Sequence, residues 1–425
     1  MNTKVQQALI DKLMEKSFAV LPTIQSVNQE VLLTNIGRGN MITAFWLGLI
    51  TGHPSFYLGP TGVNKTGTIE AITSRIENIR YWSDLIPKLQ SSKDFLVDST
   101  AILEEEIEGG KRITVEEFLG RASGAEIVFA DEFFKREDHP ALNDLIDFLL
   151  SGQIRHQGKW KKTPLMQFIA AGNEVADSEG DLGAVWSRMT IRLQIQPLDW
   201  NQRFSMDSAR EERYQSARWQ KILDMLGEQT KARTEEVITM VPMDQVLLLR
   251  NAWPFIQRPD SIRDVVQEIF TALLDRSDSD FSYLVSKDDR RYGRVADVLK
   301  AHALLNGRDT VATEDLRVLE WMLWDTPEQI PVLNEVLAEY IRTSVSEAQE
   351  LVNALLSPTG AIEAAKTGDI NQGVSALSQL QTATAELDRL IGEASSDVDR
   401  QAIRELKQKV SEAQNKVLAK VTGQS

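Results

Sequence analysis

The chain has 425 residues, 42% hydrophobic and 26% charged, proportions of a packed globular protein rather than a disordered one, and its length implies two or three domains. A formal net charge of −15 argues against a surface that attracts nucleic acid or anionic membrane non-specifically. The absence of cysteine excludes disulfides, thiolate zinc sites and a cysteine nucleophile and fits a reducing compartment, so a cytoplasmic location is expected.

The opening MNTKVQQALIDKLMEKS is amphipathic and of mixed charge, without the apolar run and cleavage site of a secretory signal. Residues 1–50 carry helical spacing interrupted by Gly37-Arg38-Gly39-Asn40, read as a turn that also caps the next helix. The longest apolar segment, 41–50 (MITAFWLGLI), is well short of the ~20 residues that cross a bilayer; it predicts a buried helix and no membrane insertion. SFYL at 55–58 predicts a short strand running into Gly59, and helical spacing resumes at Thr66.

Between 83 and 124 lie the acidic run 104–106, a Gly109-Gly110 turn and the signs of a short hairpin. EIVFA at 126–130 is apolar from Ile127 on, as expected of a strand buried on both faces of a parallel sheet, and Asp131-Glu132 stands at its end. Residues 140–151 predict a helix opened by Pro140. QFIAA at 167–171 predicts a second buried strand ending at Gly172-Asn173, and the alternating TIRLQI at 190–195 a third. Strands alternating with helices from about 50 to 200 imply a parallel α/β sheet, whose ligands collect at the carboxyl ends of its strands.

From 201 to 343 strand signals vanish and successive helices are expected. Beyond 344, Leu377, Leu380, Leu387, Leu390, Val410, Val417 and Val421 recur at three- and seven-residue spacings, which predicts a long helical hairpin turning near 392–397.

Gly59-Pro60-Thr61-Gly62-Val63-Asn64-Lys65-Thr66 matches the phosphate-binding pattern G-x-x-x-x-G-K-[ST], except that Asn64 holds the place of the last glycine. In such a loop, backbone N–H groups through Gly67 converge on phosphate oxygens at a helix start, Lys65 neutralises the β- and γ-phosphates and the Thr66 hydroxyl binds Mg²⁺. Asp131 is placed to organise that metal and Glu132 to polarise the attacking water. Asn173 ends the next strand, where an amide can orient the lytic water or touch the γ-phosphate.

Arg188, just before another strand, can reach a neighbouring subunit's γ-phosphate, while Arg192 reads as a surface strand residue. Asp289-Arg290-Arg291 opens a helix from which a cation can fold onto bound nucleotide. Arg290 is the candidate, with Arg291 the alternative. The basic run from Arg155 to Lys162, with Trp160 inside it, reads as a solvated hairpin, a pore-facing or nucleic-acid-contacting loop being the alternatives.

In their order, Gly37-Arg38, GPTGVNKT, AEIVFADE, SGQIRHQG, IAAGNE, WSRMTIRL and DDRRYGRVADVLKAHALLNGRDTV resemble the MoxR branch of AAA+ ATPases, and within it the RavA-like group, over residues 10–335. The resemblance implies an AAA+ parallel-sheet core at 1–200 and an all-helical lid at 201–343; the C-terminal helical hairpin or coiled-coil extension at 344–425 is read from the spacing alone. It also implies a homo-hexamer with ATP/ADP and Mg²⁺ between subunits. Carried onto this chain, the family's roles assign Lys65 to the phosphates, Thr66 and Asp131 to the metal, and Glu132 to catalysis. Asn173 becomes the sensor, Arg188 the arginine finger and Arg290 the lid arginine.

Family members act as chaperone-like remodellers of protein complexes, commonly with a von Willebrand factor A domain partner. The chain departs from the pattern at Asn64, at Ser187 where aspartate is common, and in 83–124, and 344–425 lacks a strand-rich insertion. Two rivals remain: a nucleic-acid-stimulated translocase or restriction-type motor, and a nucleotide-gated assembly scaffold.

Overall fold

A computed structural model describes residues 3–88, 96–107, 110–135, 148, 152–156, 159–176, 183–226, 238–276, 289–341, 344–357, 370–393 and 397–421. The chain divides into two units, Met1–Pro259 with Phe270–Val311 and Val318–Leu333, and Asp260–Ile269 with Ala312–Arg317 and Asn334–Ser425.

In the first unit, α1 (Thr3–Leu32) and α2 (Gly39–Thr51) precede a five-stranded parallel sheet. Helix α2 is the apolar segment of the sequence, with its residues from Met41 to Ile50 buried apart from Thr43. The expected turn precedes α2, with Arg38 in the cap position and no capping hydrogen bond from its side chain. The guanidinium is committed elsewhere, as described below.

The sheet strands are β1 (Ser55–Leu58), β2 (Tyr81–Leu85), β5 (Ile127–Asp131), β8 (Gln167–Gly172) and β9 (Ile191–Gln194), in the order β2-β5-β8-β1-β9. The first strand in sequence is thus flanked by the last two. Helix α3 (Lys65–Thr73) follows β1, and the chain then crosses two strands to reach β2. Parallel registers of Leu58 with Gly172 and Gln194, and of Leu85 with Asp131, bring the carboxyl ends to one edge.

Two antiparallel hairpins interrupt the sheet order. The short hairpin expected in 83–124 is a long one, β3 (Val97–Ile107) with β4 (Gly110–Leu119). Its register sets Glu105 opposite Arg112 and Glu106 opposite Lys111. The second joins β6 (Gln153–His156) to β7 (Lys159–Lys162); β7 is exposed along its whole length, as a solvated hairpin requires. The helix expected over 140–151 lies outside the described residues except for Phe148.

After the short helix α4 (Gly183–Trp186) and β9, the first unit continues through α5 (Trp200–Leu226), α6 (Met243–Ala252) and α8 (Asp289–Leu305). Helix α7 (Asp260–Arg276) begins in the second unit and ends in the first. Beyond β9 the described backbone pairs as sheet only at isolated bridges, Ile76 with Val241 and Gln257 with Thr310.

Helix α9 (Ile330–Tyr340) begins in the first unit and ends in the second, where α10 (Ser344–Leu356), α11 (Ile370–Glu393) and α12 (Asp397–Val421) follow. Helices α11 and α12 form the expected hairpin, and α10 packs on both, so among the described residues three helices of the tail pack together rather than a hairpin alone. Its core is Ala348, Val352, Leu380, Leu387, Leu390, Ile403, Val410 and Val417, with smaller alanines between them, and Leu377 packs at its margin. Aliphatic side chains at these spacings interdigitate at facing helix surfaces.

Candidate functional site

The loop from β1 to α3 is shaped by backbone constraints. Gly59 receives no side chain because a Cβ there would lie 2.7 Å from the Ile195 carbonyl oxygen. Gly62 has φ of +92°, a left-handed conformation that glycine adopts without steric cost. Asn64 has φ 62° and ψ 38°, so it takes the left-handed conformation that the motif's usual glycine supplies; asparagine is among the side chains that tolerate it best.

Asn64 is also anchored: its Nδ2 donates to Asn35 Oδ1 at 2.8 Å, and the Thr68 hydroxyl donates to the same oxygen at 3.1 Å. Arg38 holds the loop from the other side, donating through Nε to the Val63 carbonyl at 3.0 Å and through Nη1 to the Gln196 carbonyl at 3.2 Å. Burial lowers the Arg38 guanidinium below its ordinary pKa.

Asn35 was not legible in the sequence as a functional residue. An asparagine at a helix end reads as a terminator, and its hub role depends on partners 29 and 33 residues away.

A cleft of about 230 Å³ opens at the sheet edge, lined by residues 61–67 of the loop together with Asp131, Glu132, Gly172 and Asn173. Lys65 Nζ donates to the Gly59 carbonyl at 2.6 Å and the Pro60 carbonyl at 3.2 Å. Partial burial lowers its pKa, against the opposing pull of Asp131 and Glu132. The Thr66 hydroxyl donates to Asp131 Oδ2 at 3.2 Å, so two oxygen groups suited to a hard divalent cation adjoin each other.

Asp131 also accepts the Glu132 N–H at 2.9 Å, and the Phe133 N–H reaches the Ala171 carbonyl at 2.9 Å. These bonds hold a tight turn in which Glu132 has φ of +52°. A non-glycine residue there carries strain of about 1–2 kcal/mol. The Glu132 carboxylate meets Lys135 Nζ at 2.9 Å. Asn173 is exposed at the end of β8.

Behind the acidic turn, Phe134, Phe56, Trp186 and Trp324 pack in sequence, with ring centroids 5.1, 5.2 and 6.0 Å apart. The chain carrying Trp186 continues into Arg188, which is half-buried and donates through Nη1 to the Ala184 carbonyl. Arg188 and Arg290 are not among the residues lining the cleft; Arg290 is exposed at the start of α8.

Arg192, expected at the surface, is fully buried. It stacks 4.0 Å from the Trp186 ring centroid and pairs with Asp325, which also meets Arg291 Nη2 at 3.2 Å. Alternation along β9 set Arg192 outward, but this short strand is covered on both faces, and Asp325 supplies the charge that makes burial tolerable. The Asp325 carboxyl, which burial alone would raise, is held below the usual aspartate range by Arg192 and Arg291.

Residues 22–228 match the family of MoxR domains in the MoxR-vWA-beta-propeller ternary systems, and residues 261–337 match an AAA lid domain. The chain is 23% identical over 383 residues to the uncharacterized protein MJ0079 of Methanocaldococcus jannaschii, covering 88% of this chain and 91% of that protein. It is 24% identical over 338 residues to MJ0812 of the same organism, covering 79% and 81%. Among solved structures, that of a "putative ATPase" from Cytophaga hutchinsonii superposes with a TM-score of 0.54 at 16% identity, covering 80% of this chain and 99% of that one.

A parallel sheet of this strand order, with the glycine loop and the acidic pair at its carboxyl edge, defines an AAA+ α/β fold of the ATPase class. The two family matches, one to MoxR domains and one to an AAA lid, support a MoxR-family AAA+ ATPase.

Proposed function

We propose that the protein hydrolyses ATP in the cleft at the sheet edge and that it works as a cytoplasmic homo-hexamer that remodels, matures or disassembles protein complexes. The observation that carries this reading is the contact of the Thr66 hydroxyl with Asp131 beside Lys65 and Glu132, all in one cleft. Residues 61–67 fit a polyphosphate: left-handed turns at Gly62 and Asn64 direct backbone toward the cleft ahead of a helix start, and Lys65 supplies the cation. Thr66 and Asp131 would hold Mg²⁺, which when bound neutralises phosphate charge.

Glu132 takes the proton of the attacking water, and Asn173 orients that water or contacts the terminal phosphate. Arg188 reaches the cleft of the next subunit, where a guanidinium stabilises the charge that builds in phosphoryl transfer. Arg290 folds onto nucleotide from the lid. In this assignment 1–200 is the nucleotide-binding core, 201–343 the lid and 344–425 an extension that docks partners.

The name of the matching family, with its ternary systems, supports a von Willebrand factor A domain protein as partner. The exposed β7 segment then remains a solvated hairpin rather than a nucleic-acid contact, consistent with the net charge of −15.

Glu132→Gln tests the reading directly. Turnover is expected to fall by at least about 100-fold, the range that general-base removal gives, with ATP affinity retained. Undiminished turnover refutes the assignment.

A further inference from the structure

The backbone from which Arg188 projects is gripped by two other guanidinium groups. Carbonyl oxygens of four consecutive residues accept from them: Trp186 from Arg192 Nη2 at 2.7 Å, Ser187 and Arg188 from Arg294 Nη1 at 3.3 Å each, and Met189 from Arg192 Nε at 2.9 Å. Arg294 lies on α8 one helical turn beyond Arg290, so the two share a face of that helix. Arg291, between them, is buried and joined through Asp325 to Arg192. The opening turns of α8 and the Arg188 segment are therefore tied at two points, one through Arg294 and one through the Arg291–Asp325–Arg192 chain.

Carbonyls held by charged donors do not drift freely. Hydrogen bonds to an ionised donor are stronger than neutral ones, and several sharing one short segment fix its path. A side chain that must meet a phosphate across a subunit boundary gains from such fixing, since displacement by about 1 Å can cost on the order of 100-fold in rate.

We propose that Arg294 is a positioning residue for catalysis in the neighbouring subunit: it sets the Arg188 backbone according to where α8 stands. Because α8 also carries Arg290, nucleotide held by Arg290 in one subunit governs the reach of Arg188 into the next. This inference rests on the proposal that Arg188 acts in trans.

Mixed assemblies test it. Arg188→Ala protomers keep Lys65 and Glu132 but donate no finger, whereas Glu132→Gln protomers cannot turn over but donate an intact one; mixing the two is expected to restore turnover. Arg294→Ala protomers alone are expected to lose roughly 10- to 100-fold in kcat. Their KM for ATP stays within about twofold, and turnover returns when Glu132→Gln protomers are added.

Protomers carrying Glu132→Gln and Arg294→Ala together should fail to rescue Arg188→Ala. Arg294→Lys, which keeps the charge but not the forked geometry, should recover only part of the rate.

If Arg188→Ala is not rescued by Glu132→Gln, the trans reading of Arg188 falls. If that rescue works but Arg294→Ala is not restored by the same partner, or the doubly substituted donor rescues fully, Arg294 has no positioning role and the inference alone is overturned.

Discussion

Asn64 and Gly67 form a coupled pair whose energy can be measured. A Cβ built on Gly67 would lie 2.3 Å from Asn64 Oδ1, far inside van der Waals contact. The Asn64 amide cannot simply swing away, because its Nδ2 is held by Asn35 at 2.8 Å. Gly67→Ala in the native background therefore breaks that hydrogen bond, at about 1 kcal/mol, or accepts overpacking of about 1–3 kcal/mol. Replacing a helical glycine by alanine would otherwise stabilise by up to about 1 kcal/mol.

In an Asn64→Gly background the obstacle is absent and only the helix gain remains, so Gly67→Ala should change sign from destabilising to stabilising. A double-mutant cycle on urea unfolding, followed by far-UV circular dichroism, should give a coupling of about 1–3 kcal/mol, the cost of whichever of the two the native background accepts. Additivity within about 0.5 kcal/mol would refute the argument that Asn64 and Gly67 constrain each other.

Three further outcomes follow from the geometry. Because Glu132 has φ of +52°, Glu132→Gly should be more stable than Glu132→Ala by about 1 kcal/mol in thermal unfolding, against the usual order of these residues; the usual order would exclude a left-handed Glu132. Asp325→Asn leaves two buried guanidinium groups facing a neutral amide and should cost about 3–5 kcal/mol at neutral pH.

The folded Asp325 pKa lies below the ordinary 3.8, so this stabilisation is complete above that pH and is lost as pH falls through the folded value. The stability gap between native and variant protein should accordingly persist at pH 5 and close only in stronger acid. A gap that closes by pH 5 contradicts the ion-pair account. Finally, ATP turnover should be unchanged by added DNA or RNA. Stimulation that weakens steeply with salt would instead favour a nucleic-acid motor.

The parallel sheet was legible because strands covered on both faces are written as unbroken apolar runs, as in 127–130 and 168–171, with polar residues at their ends. Arg192 was not legible in the same way. Alternation assumes one solvated face, and the carboxylate that makes its burial tolerable, Asp325, lies 133 residues away. The long β3–β4 hairpin had a signal in the acidic run 104–106, mirrored by Lys111 and Arg112 across the glycine turn, a pattern that sets opposite charges across an antiparallel pair.

Asn64 was legible as a departure but not as a solution, because only its φ of 62° explains how asparagine can stand where the motif has glycine. Arg294 carried no local cue. Its role lies in carbonyls more than 100 residues earlier, and backbone acceptors leave no trace in sequence.

The helical bundle of 344–421 has a kinetic consequence. Its core joins residues close in sequence, from Ala348 to Val417, whereas the sheet must pair Ser55 with Ile191. Local contacts close faster than distant ones, so the bundle should gain its helicity ahead of the sheet during refolding. All nine tryptophans precede residue 344. Intrinsic fluorescence will therefore miss the early phase, while circular dichroism records it, and the two signals should differ in rate even when both end in the same native protein.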